Sequence, residues 1–409
     1  MRILHLSPHL PFAPGGSGGA TRQFHLLRRL VELGHDVTTV VPVPRQHREH
    51  VALTRAAGIR VEAVPRPASR VRETLDAVMH EPRLLPLAAA APLPAWQVRV
   101  LWQQLRPVVA RVIAETPPDL VIVELDVSGG WIADLPQQLP VLVAMHDVTA
   151  GYFAARAAAT SGRQQRWFAF EQRRAGADAR RWLPRARGLV CVSQADADAL
   201  AALLGPAAPA PHVVPNGVDL SAFPPAGDEP DGPPTLLFTG TMNYAPNVEG
   251  IRWFADGVWP RIRARHADAR LLVVGRDPTP AVIRLGELDG VTVTGSVADV
   301  APYFGDAQLV VVPLLSGGGT RLKIVEAAAS RRAIVSTSRG AEGLDVAAGR
   351  ELLIADAPEE FAAQTLALLG DPARRAQLAA AARSFAERYD WRALGDRFER
   401  IVRAAADGS

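Results

Sequence analysis

The stretch Gln308-Leu-Val-Val-Val-Pro-Leu-Leu-Ser-Gly-Gly-Gly-Thr-Arg-Leu-Lys-Ile-Val-Glu-Ala-Ala-Ala329 decides how the rest of the chain is read. Its opening residues, Gln308–Pro313, form the continuous apolar run of a strand covered on both faces. Gly317, Gly318 and Gly319 let the backbone come close to a ligand, and a helix is predicted to open near Thr320. Leu322, Ile324, Val325, Ala328 and Ala329 fall on one side of that helix at about 100° per residue. Lys323 and Glu326, three apart, share the other side. A helix start presents unpaired N–H groups and the positive end of its dipole. With Arg321 and Lys323 in the first turn, the segment makes a diphosphate site. Lys323 would then meet phosphate oxygens and Glu326 would accept from a ribose diol. The plainer alternative is an exposed ion pair worth a few tenths of a kcal/mol.

Outward from this segment, apolar runs alternate with helical patterns along the whole chain, as in parallel α/β layers. The strand candidates of the first half are Ile3–Ser7, Val37–Val43, Arg60–Val64, Leu120–Leu125, Val141–Met145 and Leu189–Ser193. The second half restarts with Thr235–Thr239, Arg270–Val274, Val291–Thr294, Gln308–Pro313, Ala333–Ser336 and Leu352–Ala355. Between them, Pro215–Pro234 holds six prolines and three glycines and reads as a linker. Two doubly wound domains with a cleft between them follow, and such a junction favours a ligand site. Residues 71–115 are helical in character but cut by prolines, fitting a helix pair packed on the first sheet or a lid over a pocket.

Composition narrows the setting. With 409 residues, 48% hydrophobic and 21% charged, the chain is globular and long enough for two domains. A single cysteine, Cys191, excludes a disulfide framework and a cysteine-based zinc site. No apolar run reaches membrane-spanning length, and the first residues do not form a signal peptide, so a cytoplasmic protein is expected. Of 45 basic residues, one alone, Lys323, is lysine. A lysine kept where arginine is otherwise universal points to a task for a compact ammonium. Arg156–Arg187 carries nine arginines against Glu171 and Asp178, which reads either as a solvated face or as a contact for phosphate-bearing partners, including the inner membrane surface. Nucleic acid is not expected, since no binding module or aromatic platform accompanies the charge.

The segment Leu236–Ala255, Leu-Leu-Phe-Thr-Gly-Thr-Met-Asn-Tyr-Ala-Pro-Asn-Val-Glu-Gly-Ile-Arg-Trp-Phe-Ala, resembles the opening strand, loop and helix of the C-terminal domain of glycosyltransferases. Val274-Gly-Arg276, Val293-Thr-Gly-Ser-Val297, the Gly-Gly-Gly-Thr-Arg-Leu-Lys stretch and Gly340-Ala-Glu-Gly-Leu344 strengthen the likeness. Together they resemble family 4 retaining glycosyltransferases of the GT-B fold over nearly the whole chain. The resemblance implies an N-terminal domain over residues 1–218, a nucleotide-sugar domain over 219–388, and a final helical segment, 389–409, returning to the first domain. It places Arg321 and Lys323 on the donor diphosphate, Glu326 on the ribose and Val297 beside the nucleobase. The family's first glutamate of E-x7-E would fall at 318, which is Gly318, and its usual basic pair is absent from Thr239–Asn247. Sugar recognition would therefore use the backbone of Gly317–Thr320 or other side chains.

In the first domain, Pro14–Arg22 is glycine-rich, but its glycines stand too far from the strand for a dinucleotide fingerprint. Gly18 and Gly19 instead resemble the family's glycine loop facing the donor phosphates or the acceptor. His146 follows a strand at the crevice side; a lone histidine there is either structural or, by the resemblance, near the donor sugar. Asp147 is expected to cap the next helix, and Asp196 and Asp198 to serve a helix start rather than a metal. No P-loop and no nucleophile elbow is present. The expectation is thus a metal-independent, cofactor-free transferase with a nucleotide-sugar donor and a sugar, lipid-linked or other hydroxyl acceptor, active in polysaccharide or glycolipid synthesis. A nucleotide-sugar epimerase and a non-catalytic nucleotide-sugar-binding module remain alternatives.

Overall fold

The computed structural model describes residues 1–13, 18–66, 94–225, 227, 230–317 and 321–408. The chain divides into two units, Met1–Pro215 with Leu394–Ser409, and Asn216–Ala393. The proline-broken segment of the first half lies outside the described residues up to position 93, as do Gly318, Gly319 and Thr320.

The first unit is built on seven parallel strands: β1 (Arg2–Leu6), β2 (Asp36–Val43), β3 (Arg60–Pro65), β4 (Leu120–Glu124), β5 (Val141–Ala144), β6 (Gly188–Cys191) and β7 (Pro211–Val213). Their order is β3-β2-β1-β4-β5-β6-β7. The chain winds outward from β1 in both directions, so the crevice between the ends of β1 and β4 is the switch point. β7 was not expected. It starts on a proline, which suits an edge strand with no further neighbour to receive its N–H.

The second unit repeats the plan with β8 (Thr235–Thr239), β9 (Arg270–Val274), β10 (Val291–Gly295), β11 (Leu309–Val312), β12 (Ala333–Ser336) and β13 (Leu353–Ile354). The order β10-β9-β8-β11-β12-β13 puts its switch point between β8 and β11. β4, β5, β6, β8, β11 and β12 are buried along their whole length, which explains their near-uniform apolar sequence. Among the described residues no helix is long and apolar enough to cross a membrane.

Four expectations need correcting. The first helix spans Gly18–Glu32, so Gly18 and Gly19 lie in its first turn and not in a loop before it. The proline-rich stretch after Pro215 is irregular but not a free spacer. Val218 is 3% exposed, donates its N–H to the Tyr389 carbonyl at 2.9 Å and accepts from the Trp391 N–H at 3.1 Å. Asp147 does not cap the helix Thr149–Ala158. Asp126 does, accepting from the Thr149 N–H at 2.9 Å and its hydroxyl at 2.5 Å. Burial pushes the Asp126 carboxyl up to about 6 against those hydrogen bonds. The helix start near Asp196 is capped instead by Ser193, which accepts from the Asp196 N–H at 3.1 Å and donates its hydroxyl to the Asp196 carboxylate at 2.5 Å.

The last helix, Trp391–Asp407, buries Leu394, Phe398, Ile401, Val402 and Ala405 along one side. Within the first unit Asp396 accepts from Arg29 Nε at 2.8 Å, and Glu399 meets His35 Nε2 at 3.1 Å. In the second unit, buried arginines close carbonyl-rich chain ends. Arg332 donates to the carbonyls of Phe304 at 2.7 Å, Gly305 at 3.1 Å and Gly227 at 3.4 Å. Arg375 donates to the Leu368 and Leu369 carbonyls at the end of the helix Pro358–Gly370, and Arg383 to that of Ala329. Gly227 apart, these carbonyls stand in the last turns of helices, which run short of intrahelical donors.

Candidate functional site

In the second unit the site grows from the switch point. The helix Leu322–Ala329 follows β11, and Ile324, Val325, Ala327, Ala328 and Ala329 seat it on the sheet. That seating turns Lys323 and Glu326 toward the crevice. Both are half-buried, unlike the exposed pair that helix spacing allowed. Lys323 Nζ lies 4.3 Å from the centroid of the Phe238 ring, over its face, and donates to Asn247 Oδ1 at 2.7 Å. The Asn247 amide is itself aimed by its other end, which donates to the Thr241 carbonyl at 2.9 Å. Phe238 belongs to β8 and Asn247 to the helix Ala245–Trp253, so three elements converge on one ammonium.

Burial pulls the Lys323 ammonium well below the ordinary lysine range, with Glu326 opposing the shift and Arg321 adding to it. Burial likewise pushes the Glu326 carboxyl up, with Lys323 opposing. No ion pair joins the two among the described residues. The Glu326 carboxylate also has no hydrogen-bond donor there, as befits an acceptor for hydroxyls.

Arg321, expected on the diphosphate beside Lys323, is held by groups of its own unit. It is 5% exposed, its Nη2 donates to the Gly317 carbonyl at 2.8 Å, and Glu342 Oε2 stands 3.7 Å away. Its guanidinium thus ties the loop from within and adds positive charge behind Lys323. Val297, just past β10, is half-buried against the core of this unit. Gly317 is described; Gly318, Gly319 and Thr320 are not.

The first unit holds a second polar constellation, at its own switch point. His146 follows β5 and its Nε2 meets Glu124 Oε2 at 3.0 Å. Glu124, the last residue of β4, meets His5 Nε2 through its other oxygen at 3.3 Å. His5 Nδ1 is in turn 2.8 Å from Thr39 Oγ1. The parallel register explains the grouping. His5 pairs with Thr39 on β2 and Ile122 on β4, and Glu124, two residues beyond Ile122, returns to the same face.

Burial alone would push the Glu124 carboxyl up, but hydrogen bonds from His146 and His5 outweigh it and hold the group at about 2. Arg22 is 1% exposed and donates to the Pro215 carbonyl at 2.8 Å. Burial draws its guanidinium down to about 10, against the pull of Glu124. Gly19 lets the His146 ring approach the first turn of its helix: a Cβ there would sit 2.5 Å from His146 Nδ1. Gly18 faces open space.

Asn247, Phe238, Glu124 and His5 were missed from the sequence. The last two carried a signal, since a polar residue inside an apolar strand must find a partner. Among the described residues no three His, Cys, Asp or Glu side chains are grouped to hold a metal ion.

Two doubly wound sheets in one chain are the GT-B architecture. Residues 16–222 match the family described as Glycosyltransferase Family 4, and residues 233–371 match Glycosyl transferases group 1. The chain therefore belongs to the family 4 glycosyltransferases.

A phosphatidyl-myo-inositol mannosyltransferase of Mycolicibacterium smegmatis is 31% identical over 201 residues, 46% of this chain and 50% of that protein. An uncharacterized 44.6 kDa protein in the cps region of Klebsiella pneumoniae is 27% identical over 136 residues, 31% of this chain and 35% of that protein. The matches thus span half or less of those relatives. Two solved structures share the fold at 17% identity: sucrose-phosphate synthase from Thermosynechococcus elongatus and Anabaena HepE in complex with UDP and glucose. The first has a TM-score of 0.71 and covers 100% of both chains; the second has 0.66 and covers 99% of this chain and 100% of that one.

Proposed function

We propose that the chain moves a glycosyl group from a nucleotide-sugar donor to an acceptor hydroxyl, with retention and without a metal ion. The observation that carries this reading is the Lys323 ammonium, held over Phe238 by Asn247 at the start of a helix after a glycine loop. Negative charge builds on the departing diphosphate as the glycosyl–phosphate bond breaks. Lys323 and the helix start stabilise that charge, Arg321 supports the loop that brings them there, and Glu326 takes the ribose hydroxyls. The stretch Gly317–Thr320 is assigned to the sugar by the family resemblance, Val297 to the base, and in the first unit His146, with Gly18 and Gly19, to the donor sugar.

Calorimetry tests the donor site directly. A diphosphate favours the charged form that burial disfavours at Lys323, so UDP or GDP binding near pH 8 should draw a proton onto it. Titration in buffers of different ionisation enthalpy should show that uptake in the wild type and none in Lys323→Ala. Binding that Lys323→Ala leaves as tight as in the wild type, or no binding of either nucleotide, removes the reading.

The acceptor is a polysaccharide precursor or a glycolipid, a reading supported by relatives named for a cps region and for phosphatidyl-myo-inositol. The helix Gly162–Trp182 supports delivery at an anionic inner membrane surface, with the protein otherwise cytoplasmic. Arg163, Arg166, Arg173, Arg180 and Arg181 are exposed along it around Phe170, itself 40% exposed. Of its two acids, Glu171 is buried and tied to Arg174 at 2.8 Å, and Asp178 is half-buried. Each exposed arginine is worth about 1 kcal/mol beside anionic lipid. The protein should float with phosphatidylglycerol vesicles, not with phosphatidylcholine, and the double variant Arg166→Glu/Arg173→Glu should stay in solution. Equal flotation of the variant sinks this docking face.

A further inference from the structure

His146 and His5 meet on one buried carboxylate, and the chemistry of that meeting fixes a proton on each facing nitrogen. Glu124 is 3% exposed, and as a carboxylate it only accepts hydrogen bonds. Both facing nitrogens, His146 Nε2 and His5 Nε2, must therefore carry the proton. With Nε2–H committed, a neutral His5 ring has Nδ1 as an acceptor, which takes the Thr39 hydroxyl at 2.8 Å. Every polar atom of the chain from Thr39 to Glu124 is then satisfied with both rings neutral. The one charge is balanced by the buried guanidinium of Arg22 nearby. At the far end, His146 Nδ1 has no donor among the described residues. It lies against Gly19, where a Cβ would stand 2.5 Å away, and the His146 side chain keeps 19% of its surface exposed.

We propose that Glu124, backed by His5 and Thr39, is a positioning residue that locks His146 as its Nε2–H tautomer and so presents Nδ1 as a bare acceptor for a substrate hydroxyl. The inference rests on the transfer reading, in which His146 serves the donor sugar, and it names what that histidine contributes: a lone pair that takes a hydroxyl proton donor. It also explains two residues that catalysis by His146 alone leaves unexplained, a histidine inside β1 and a glutamate closing β4. A neutral amide at 124 can both donate and accept, so it would no longer dictate which ring nitrogen keeps the proton.

The test is long-range 1H–15N correlation of the histidine rings in the full chain, paired with steady-state kinetics. In the wild type His146 should show the Nε2–H pattern. Glu124→Gln should shift it to a mixture or to Nδ1–H and lower kcat by ~10-fold or more at similar KM. Glu124→Asp, which keeps the acceptor-only chemistry, should retain the tautomer and recover part of the rate. It also guards against misfolding of the Gln variant. An Nδ1–H ring in the wild type, or an unchanged ring and rate in Glu124→Gln, overturns the proposal. Full activity in His146→Ala would instead remove the histidine from the transfer reaction, and the acceptor role proposed for Nδ1 would go with it. The tautomer spectra would show separately whether Glu124 still sets the ring.

Discussion

Lys323→Ala is expected to lower kcat by ~10²–10³-fold while the melting temperature stays close to that of the wild type. The loss follows from charge. Breaking a glycosyl–phosphate bond leaves its electrons on the diphosphate, and the ammonium above Phe238 faces that charge from a fixed position. Stability should hold because removing a buried cation also removes its desolvation cost. Lys323→Arg should fail almost as badly. The slot is bounded by Asn247 and by Gly240, where φ is +153° and a Cβ would stand 3.2 Å from Lys323 Nζ. A planar guanidinium is wider than an ammonium and cannot enter without displacing the Asn247 amide. Kinetics with thermal melts of the same preparations decide the matter; wild-type turnover in the arginine variant would refute the slot.

Gly19→Ala should cost ~10²-fold in turnover with little loss of stability. The added Cβ would lie 2.5 Å from Nδ1 and 2.7 Å from Cε1 of His146, distances no packed structure keeps. The ring must swing away, and in doing so it gives up the 3.0 Å bond to Glu124. Alanine in a helix is meanwhile better than glycine by about 1 kcal/mol, so the helix Gly18–Glu32 gains part of what the packing loses. An inactive variant that melts like the wild type is therefore the expected result. Unchanged turnover would mean that the position of His146 does not matter to the reaction.

Much of the architecture was legible because buried parallel strands have few ways to be written. Thr235–Thr239, Arg270–Val274 and Ala333–Ser336 fall where the apolar runs place them. The short edge strand Pro211–Val213 escaped because neither its length nor its composition marks it. The helix Gly18–Glu32 starts early because a first turn tolerates glycine, its N–H groups being unbonded within the helix in any case. At the site, Lys323, Glu326 and His146 could be singled out from local spacing and position. Their partners could not. Asn247 and Phe238 reach Lys323 across 76 and 85 residues of chain, and Glu124 joins His5 across 119, so only the strand order brings them together.

The buried arginines of the second unit bear on how the sequence came to hold one lysine. Arg332 uses Nε, Nη1 and Nη2 on three carbonyls at once, and Arg375 bridges two. A lysine has one nitrogen to offer in such a place, so reversion would strand carbonyls in the interior. A nucleotide bias that first favoured arginine codons would thus become a ratchet. Once the forks had been built into helix ends, selection on folding would retain them even if the mutational pressure relaxed.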